Sequence, residues 1–273
     1  MKKMLLVCLI IFYSFCLASA VVSIDDLSKS VVYLSQQIDT TVTSGTGFIV
    51  KYKNKDYLVT AKHIADSLTE TAEITLNLKN GKGTNISFRN LLQQSEIKGA
   101  SWFNHPDSNI DIAVHPIVYS NKDIDIIAIP ESIYQKKEIS IKLLNTVYIF
   151  GFPLGLGIID KISPIAKEAK VASRITTINA SNIPKNNYYY LLDEALSKGY
   201  SGAPVFYIED IISTDRTDNW PMKGDEKLHL LGLQSIVLSD ATGGKISLVI
   251  PIMYLWDIFL SSDFKKYEKG LRK

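Results

Sequence analysis

Short apolar runs separated by turn-forming residues fill most of this chain, and they leave room for little besides a β fold. Val42 to Tyr52 and Asp56 to Thr60 read as strands joined at Lys53-Asn54-Lys55, and Glu73 to Leu78 alternates before the turn Asn80-Gly81-Lys82-Gly83. Further strands are predicted over Asp111 to Val118, Thr146 to Gly151, Tyr188 to Leu192, Leu228 to Val237 and Lys245 to Ile250. Helical spacing is confined to Pro251 to Leu260 and Ser30 to Gln37. No internal repeat, low-complexity tract or Pro/Gly-rich linker argues for a separate second domain.

The first twenty residues read as a secretory signal. Met1-Lys2-Lys3 is positive, Met4 to Phe15 is apolar apart from Ser14, and Ala18-Ser19-Ala20 is a small-residue cleavage site, which places the cut after Ala20. Both cysteines, Cys8 and Cys16, fall inside that segment, so the mature domain of roughly 250 residues is held by its core and not by disulfides. The 30 Lys and Arg exceed the 28 Asp and Glu by two. Lys2 and Lys3 account for that excess, so the mature chain is formally neutral and points to neither nucleic acid nor an anionic membrane surface.

Chemistry concentrates in three places. Gly199-Tyr200-Ser201-Gly202-Ala203-Pro204 sets a serine in a tight turn ahead of an apolar strand, Thr60-Ala61-Lys62-His63 closes a β-rich run, and Asp111 is embedded in Asn109-Ile110-Asp111-Ile112-Ala113-Val114. A serine hydroxyl is a poor nucleophile until a base takes its proton, and His63 is the candidate base. Asp111, between two isoleucines that bury its segment, is suited to orient the imidazole and stabilise its charged form, because an isolated buried carboxylate is costly without a partner. Gly199 lets the backbone turn so that its N–H and that of Ser201 converge on one oxyanion, each donor contributing about 3 kcal/mol. The chain order His, Asp, Ser is one of three known for such triads. Asp125, in Asp123-Ile124-Asp125-Ile126-Ile127, is the rival acid, and lacks the Asp-Ile-Ala-Val context.

These motifs resemble those of trypsin-like serine peptidases of the bacterial, HtrA-related kind. Ser44-Gly45-Thr46-Gly47-Phe48, Gly151-Phe152-Pro153-Leu154-Gly155 and Val249-Ile250-Pro251 add weaker matches, so that the resemblance runs from about Val42 to Leu260. It implies an all-β fold of two packed six-stranded antiparallel barrels of the chymotrypsin type, about 28–125 and 137–262, with a short C-terminal helix and the active site between them. It also implies that Ala195, six residues before the serine, forms the base of the pocket for the residue preceding the scissile bond, which disfavours Lys or Arg there. Leu231 to Ser235 would pair with the substrate backbone, with Gln234 and Ser235 as contact residues.

The departures matter as well. Tyr200 stands where digestive members carry the Asp that pairs with a new N-terminus, Ile64 replaces a frequent cysteine, and Ala203 a second glycine. The 22 residues Ile252 to Lys273 are too few for a PDZ domain. Its basic end, Lys265, Lys266, Lys269, Arg272 and Lys273, reads as a solvated helix end. Ile208 to Lys227 is a long acidic insertion after the serine strand. His105, His115 and His229 show no metal-ligand spacing, so neither metal nor cofactor is expected. Asn85-Ile86-Ser87 and Asn179-Ala180-Ser181 fit a glycosylation pattern that matters only in a eukaryotic secretory pathway.

The expectation is a periplasmic or secreted bacterial endopeptidase acting on polypeptides, without stable membrane insertion once the signal is cut. A catalytically silent binding protein on the same scaffold and an esterase are the alternatives.

Overall fold

The computed structural model describes residues 23–93, 102–119, 123–179, 183, 187–210 and 226–270. The predicted signal segment, both cysteines, Arg272, Lys273 and most of the acidic insertion lie outside them. The first lobe contains α1 (Ile24–Ser28), β1 (Val31–Ile38), β2 (Thr41–Tyr52), β3 (Lys55–Thr60), α2 (Lys62–Ala65), β4 (Glu73–Asn77), β5 (Gly83–Ser87), α3 (Phe88–Gln93), β6 (Phe103–Asn104) and β7 (Ala113–Pro116). The second contains β8 (Thr146–Gly151), β9 (Ile165–Thr177), β10 (Tyr188–Leu192), β11 (Pro204–Asp210), β12 (Glu226–Ser239), β13 (Lys245–Pro251), α4 (Met253–Leu260) and α5 (Ser262–Gly270).

The first lobe is a seven-stranded sheet in the order β5-β4-β1-β2-β3-β7-β6, and the second is a closed six-stranded barrel in the order β10-β13-β12-β11-β8-β9. Both are antiparallel in every ladder. No ladder among the described residues closes the first sheet into the expected six-stranded barrel. A single C-terminal helix was expected, and two follow one another.

The helical reading of Ser30 to Gln37 is corrected: the segment is β1. Val31, Val32 and Tyr33 are β-branched or aromatic and favour a pleated surface, and β1 runs in register with β2 from Val31↔Phe48 to Ile38↔Thr41. Burial on both faces from Val31 to Leu34 removes the alternation that would have marked a strand. The β2–β3 turn holds Lys53 and Asn54 at φ 48° and 62°, the two left-handed residues that a tight primed hairpin turn requires.

Two of the features that join the lobes lie away from the turn of Ser201. In the β8–β9 connection, Ile162 N–H donates to Asn77 Oδ1 at 2.8 Å and the Asn77 amide donates back to the Ile162 carbonyl at 2.6 Å; Gly83 N–H donates to the Asp160 carbonyl at 2.5 Å. This connection therefore straps the second lobe to the β4–β5 edge of the first. At the other end, α4 and α5 return to the first sheet, where Phe259 stacks on Tyr52 at 4.1 Å, Phe264 lies 5.4 Å from Tyr57, and Lys53 pairs with Glu268 at 2.9 Å. No helix among the described residues is long and apolar enough to cross a membrane.

Candidate active site

His63 lies in the single turn of α2, directly after β3. Asp111 stands two residues before β7 and not within the predicted strand. Ile112 N–H donates to the Ile110 carbonyl at 3.0 Å, a three-residue turn with Asp111 at its apex. Ile110 and Ile112 are buried on either side of it, so the isoleucines anchor the turn while the carboxylate projects toward α2.

Asp111 Oδ1 accepts the His63 backbone N–H at 2.9 Å, and Oδ2 meets His63 Nδ1 at 2.8 Å. Ser235 Oγ donates to the same Oδ2. Burial pushes the Asp111 carboxyl up, and it is outweighed by the His63 ring hydrogen bond, the His63 charge, the Ser235 hydroxyl and the His63 backbone N–H, which together hold the group below its ordinary range. An ionised Asp111 fixes the proton of a neutral His63 on Nδ1 and leaves Nε2 as an acceptor. The rival Asp125 is elsewhere, 3.3 Å from Lys29 Nζ.

Ser201 occupies a turn held from three sides. Thr46 N–H donates to the Ser201 carbonyl at 2.9 Å, and Gly202 N–H donates to the Gln234 carbonyl at 2.7 Å. Thr46 Oγ1 donates to the Gly199 carbonyl at 2.6 Å and accepts from Phe152 N–H at 3.1 Å. Gly202 sits so close to the first lobe that a Cβ would come within 2.1 Å of the Thr46 carbonyl and 2.2 Å of Thr60 Oγ1. That contact brings the serine turn beside Thr60 and Ala61, next to the helix of His63. Thr46, with four hydrogen bonds, was noted in the sequence only as part of a weak motif.

The peptide before Gly199 has a defined orientation. The Lys198 carbonyl accepts from Leu154 N–H at 2.9 Å, and in a planar trans peptide the N–H points the opposite way. Gly199 N–H therefore faces away from the Leu154 loop. Neither it nor Ser201 N–H has an acceptor among the described residues. Gly199 adopts φ +102°, and a Cβ there would lie 2.2 Å from the Phe152 carbonyl, so only glycine fits. Tyr200 is buried, with its hydroxyl on the Ile165 carbonyl at 3.2 Å; an uncharged anchor takes the position of the digestive enzymes' Asp. Among the described residues, no hydrogen bond joins Ser201 Oγ to His63 Nε2.

Neither a protein-family model nor a curated protein matches the chain. Solved structures do. The chain is similar to the MamO protease domain from Magnetospirillum magneticum, at 14% identity over 85% of this chain and 96% of that one, with a TM-score of 0.55. It is also similar to Rv3671c from M. tuberculosis, at 13% identity over 85% of each chain and a TM-score of 0.51. The HtrA-type protease AlgW with a decapeptide matches at 15% identity and a TM-score of 0.51, over 86% of this chain and 64% of AlgW. This is the trypsin-like fold of the HtrA-type proteases.

Within that HtrA-type fold, two of the expected substrate contacts need correction. Leu231 to Gln234 is an interior strand, paired with β11 on one side and β13 on the other. Gln234 is buried, and its N–H and carbonyl are already taken by Ala203 and Gly202, so it has no backbone group for a substrate. The edge frees itself one residue later. Between Gln234↔Val249 and Val237↔Ser247 the register shifts, and this bulge turns the Ser235 side chain onto Asp111, making it a partner of the acid and not a side-chain contact for substrate. Ala195 is half-buried, and its carbonyl accepts from Lys167 Nζ at 3.2 Å. The remaining histidines are engaged outside this site: His105 with Asp257 at 3.2 Å, His229 with Glu209 at 2.9 Å, and His115, buried, with the Pro116 carbonyl at 2.7 Å.

Proposed function

We propose that the protein is an exported serine endopeptidase that cleaves polypeptides through Ser201, His63 and Asp111. The observation that carries this reading is the pairing of His63 with Asp111 beside a serine turn that keeps two backbone N–H groups without acceptors. Export rests on the sequence of residues 1–20, with a bacterial periplasm or exterior as the destination.

In this mechanism His63 Nε2 takes the Ser201 Oγ proton as Oγ bonds to the substrate carbonyl carbon. The oxygen that becomes negative is received by Gly199 N–H and Ser201 N–H. Asp111, buttressed by Ser235, stabilises the imidazolium, which gives its proton to the leaving amine as the C–N bond breaks. The acyl ester on Ser201 is then hydrolysed by a water deprotonated at the same Nε2, and Oγ recovers its proton. Catalytic hydrogen bonds are often long before substrate binds, so the unjoined Ser201 and His63 are compatible with this chemistry. The substrate backbone on the acyl side pairs with the free edge that starts at Ser235, and Ala195 flanks the preceding side chain.

The unjoined pair also favours one second reading, a scaffold that binds polypeptide without turnover. Intact-mass analysis after fluorophosphonate treatment separates the two. A single adduct, absent in Ser201→Ala, is expected of the peptidase; a folded protein that takes no adduct is the scaffold.

A further inference from the structure

The outer part of the first sheet carries a cleft of about 390 Å³, lined by Tyr33, Ser35, Glu73, Thr75, Asn85 and Ile158 among others. Its place relative to Ser201 follows from the ladders. Thr46, Tyr33 and Thr75 form one row across β2, β1 and β4, and Ser44, Ser35 and Glu73 form the next. Directly paired residues share a face of the sheet. The Thr46 side chain meets Gly199, so the cleft opens on the face that carries the serine turn. Tyr33 bridges the two, with its ring 5.7 Å from that of Phe152. Glu73 is two strands and one two-residue step from Thr46, roughly 12 Å away at ordinary strand spacings. The edge freed at Ser235, which takes the acyl side in the proposed mechanism, belongs to the other lobe.

Among the described residues of the lining, Glu73 is the single charged one. Its carboxylate is aimed by a relay: Thr75 Oγ1 donates to Asn85 Oδ1 at 2.9 Å, and Asn85 Nδ2 donates to Glu73 Oε2 at 3.0 Å. Among the described residues Glu73 has no cationic partner, and Oε1 accepts no hydrogen bond. A half-buried carboxylate held in place by neutral amide and hydroxyl groups is free to take a charge-assisted hydrogen bond from a cation.

We infer that this cleft is a subsite for the leaving-group side of the substrate, and that Glu73 selects Lys or Arg there. An extended chain advances about 3.4 Å per residue, so the selected residue is the third or fourth beyond the scissile bond. The inference rests on the peptidase reading. The test is cleavage-site profiling by mass spectrometry, using a synthetic peptide library that carries Lys, Arg, Asp and Glu at every position, with the unmutated protein, Glu73→Gln and Glu73→Lys. Fluorophosphonate labelling of each protein serves as the reference, because that probe carries no peptide on the leaving side. Expected are an enrichment of Lys and Arg of about threefold at those positions, its loss in Glu73→Gln, and a shift toward Asp and Glu in Glu73→Lys. Proteins that label and cleave with no such enrichment, or with one that Glu73→Gln leaves intact, overturn the subsite alone. Proteins that neither label nor cleave overturn the peptidase reading and the subsite with it.

Discussion

Asp111 holds His63 at two points, taking the backbone N–H into one carboxylate oxygen at 2.9 Å and facing Nδ1 with the other at 2.8 Å. The first contact fixes where α2 begins, and the second fixes the ring. Asp111→Asn keeps an acceptor for one of them and favours the wrong imidazole tautomer, so turnover is expected to fall by about 10⁴. Asp125→Asn, whose parent carboxylate faces Lys29, is expected to leave turnover within a factor of about two. Peptidase assays of the two variants check the assignment; the reverse pattern would make Asp125 the acid.

The same contacts link stability to pH. The Asp111 carboxyl lies lower in the folded chain than in the unfolded one, so its contribution is fully present above the unfolded value near 3.9 and disappears as pH falls through the folded value. The gap in melting temperature between the unmutated protein and Asp111→Asn should therefore narrow as pH is lowered below about 4. A gap that stays constant from neutral to strongly acid pH would contradict this.

His115 gives a second pH signature, in another window. Burial drives its pKa down to about 4, against a smaller upward pull from the Pro116 carbonyl. A depressed folded value means that stability is complete above the ordinary 6.5 and is lost as pH falls toward 4. Thermal melts of His115→Gln should lose the slope between pH 6.5 and 4 that the parent shows.

Ser235→Ala removes one of the groups that keep Asp111 ionised. A hydrogen bond to a charged group contributes about 2 kcal/mol, so a fall of about tenfold or more in kcat/KM is expected, and Ser235→Thr should recover most of it. An unchanged kcat/KM would mean that His63 alone is enough to position the acid.

Thr46 is the connection between the first sheet and the Gly199 peptide. Thr46→Val preserves shape while deleting Oγ1, which serves the Gly199 carbonyl and Phe152 N–H. The expected result is a drop in kcat of about tenfold or more with KM little changed, because a donor set for the oxyanion acts in the transition state. Thr46→Ser restores the hydroxyl and should restore the rate. A KM effect alone would assign Thr46 to substrate binding.

Phe264 is fully buried among Tyr52, Tyr57, Phe103 and Phe259. Phe264→Ala should destabilise the protein by about 3–5 kcal/mol, measured by denaturant unfolding. At a temperature where the variant remains folded, its fluorophosphonate adduct should still form on Ser201.

Much of this architecture was legible because strands with strong alternation or dense β-branching announce themselves: Thr146–Gly151 and Tyr188–Leu192 match their predicted limits. β9 escaped because its inward positions include Lys167 and the small Ala169 and its outward ones carry Glu168, Lys170 and Arg174, which read as a polar loop. β1 escaped for the opposite reason, being buried on both faces. At the site, His63, Asp111 and Ser201 could be picked out because each sits in a short motif. Thr46 and Asn77 could not, since Thr46 reaches Gly199 across 153 positions and Asn77 reaches Ile162 across 85. The role of Ser235 depends on a bulge set by the neighbouring strands, which no local pattern encodes.

The clasp between α5 and the β2–β3 hairpin also has a bearing on timing. Lys53 and Glu268 are 215 positions apart, so the first lobe gains its aromatic cover only after α4 and α5 have been made. Contacts that span so much of the sequence form late. The cover of the first sheet is thus supplied from beyond the barrel of the second lobe in sequence, and a chain interrupted before α4 leaves Tyr52 and Tyr57 without Phe259 and Phe264.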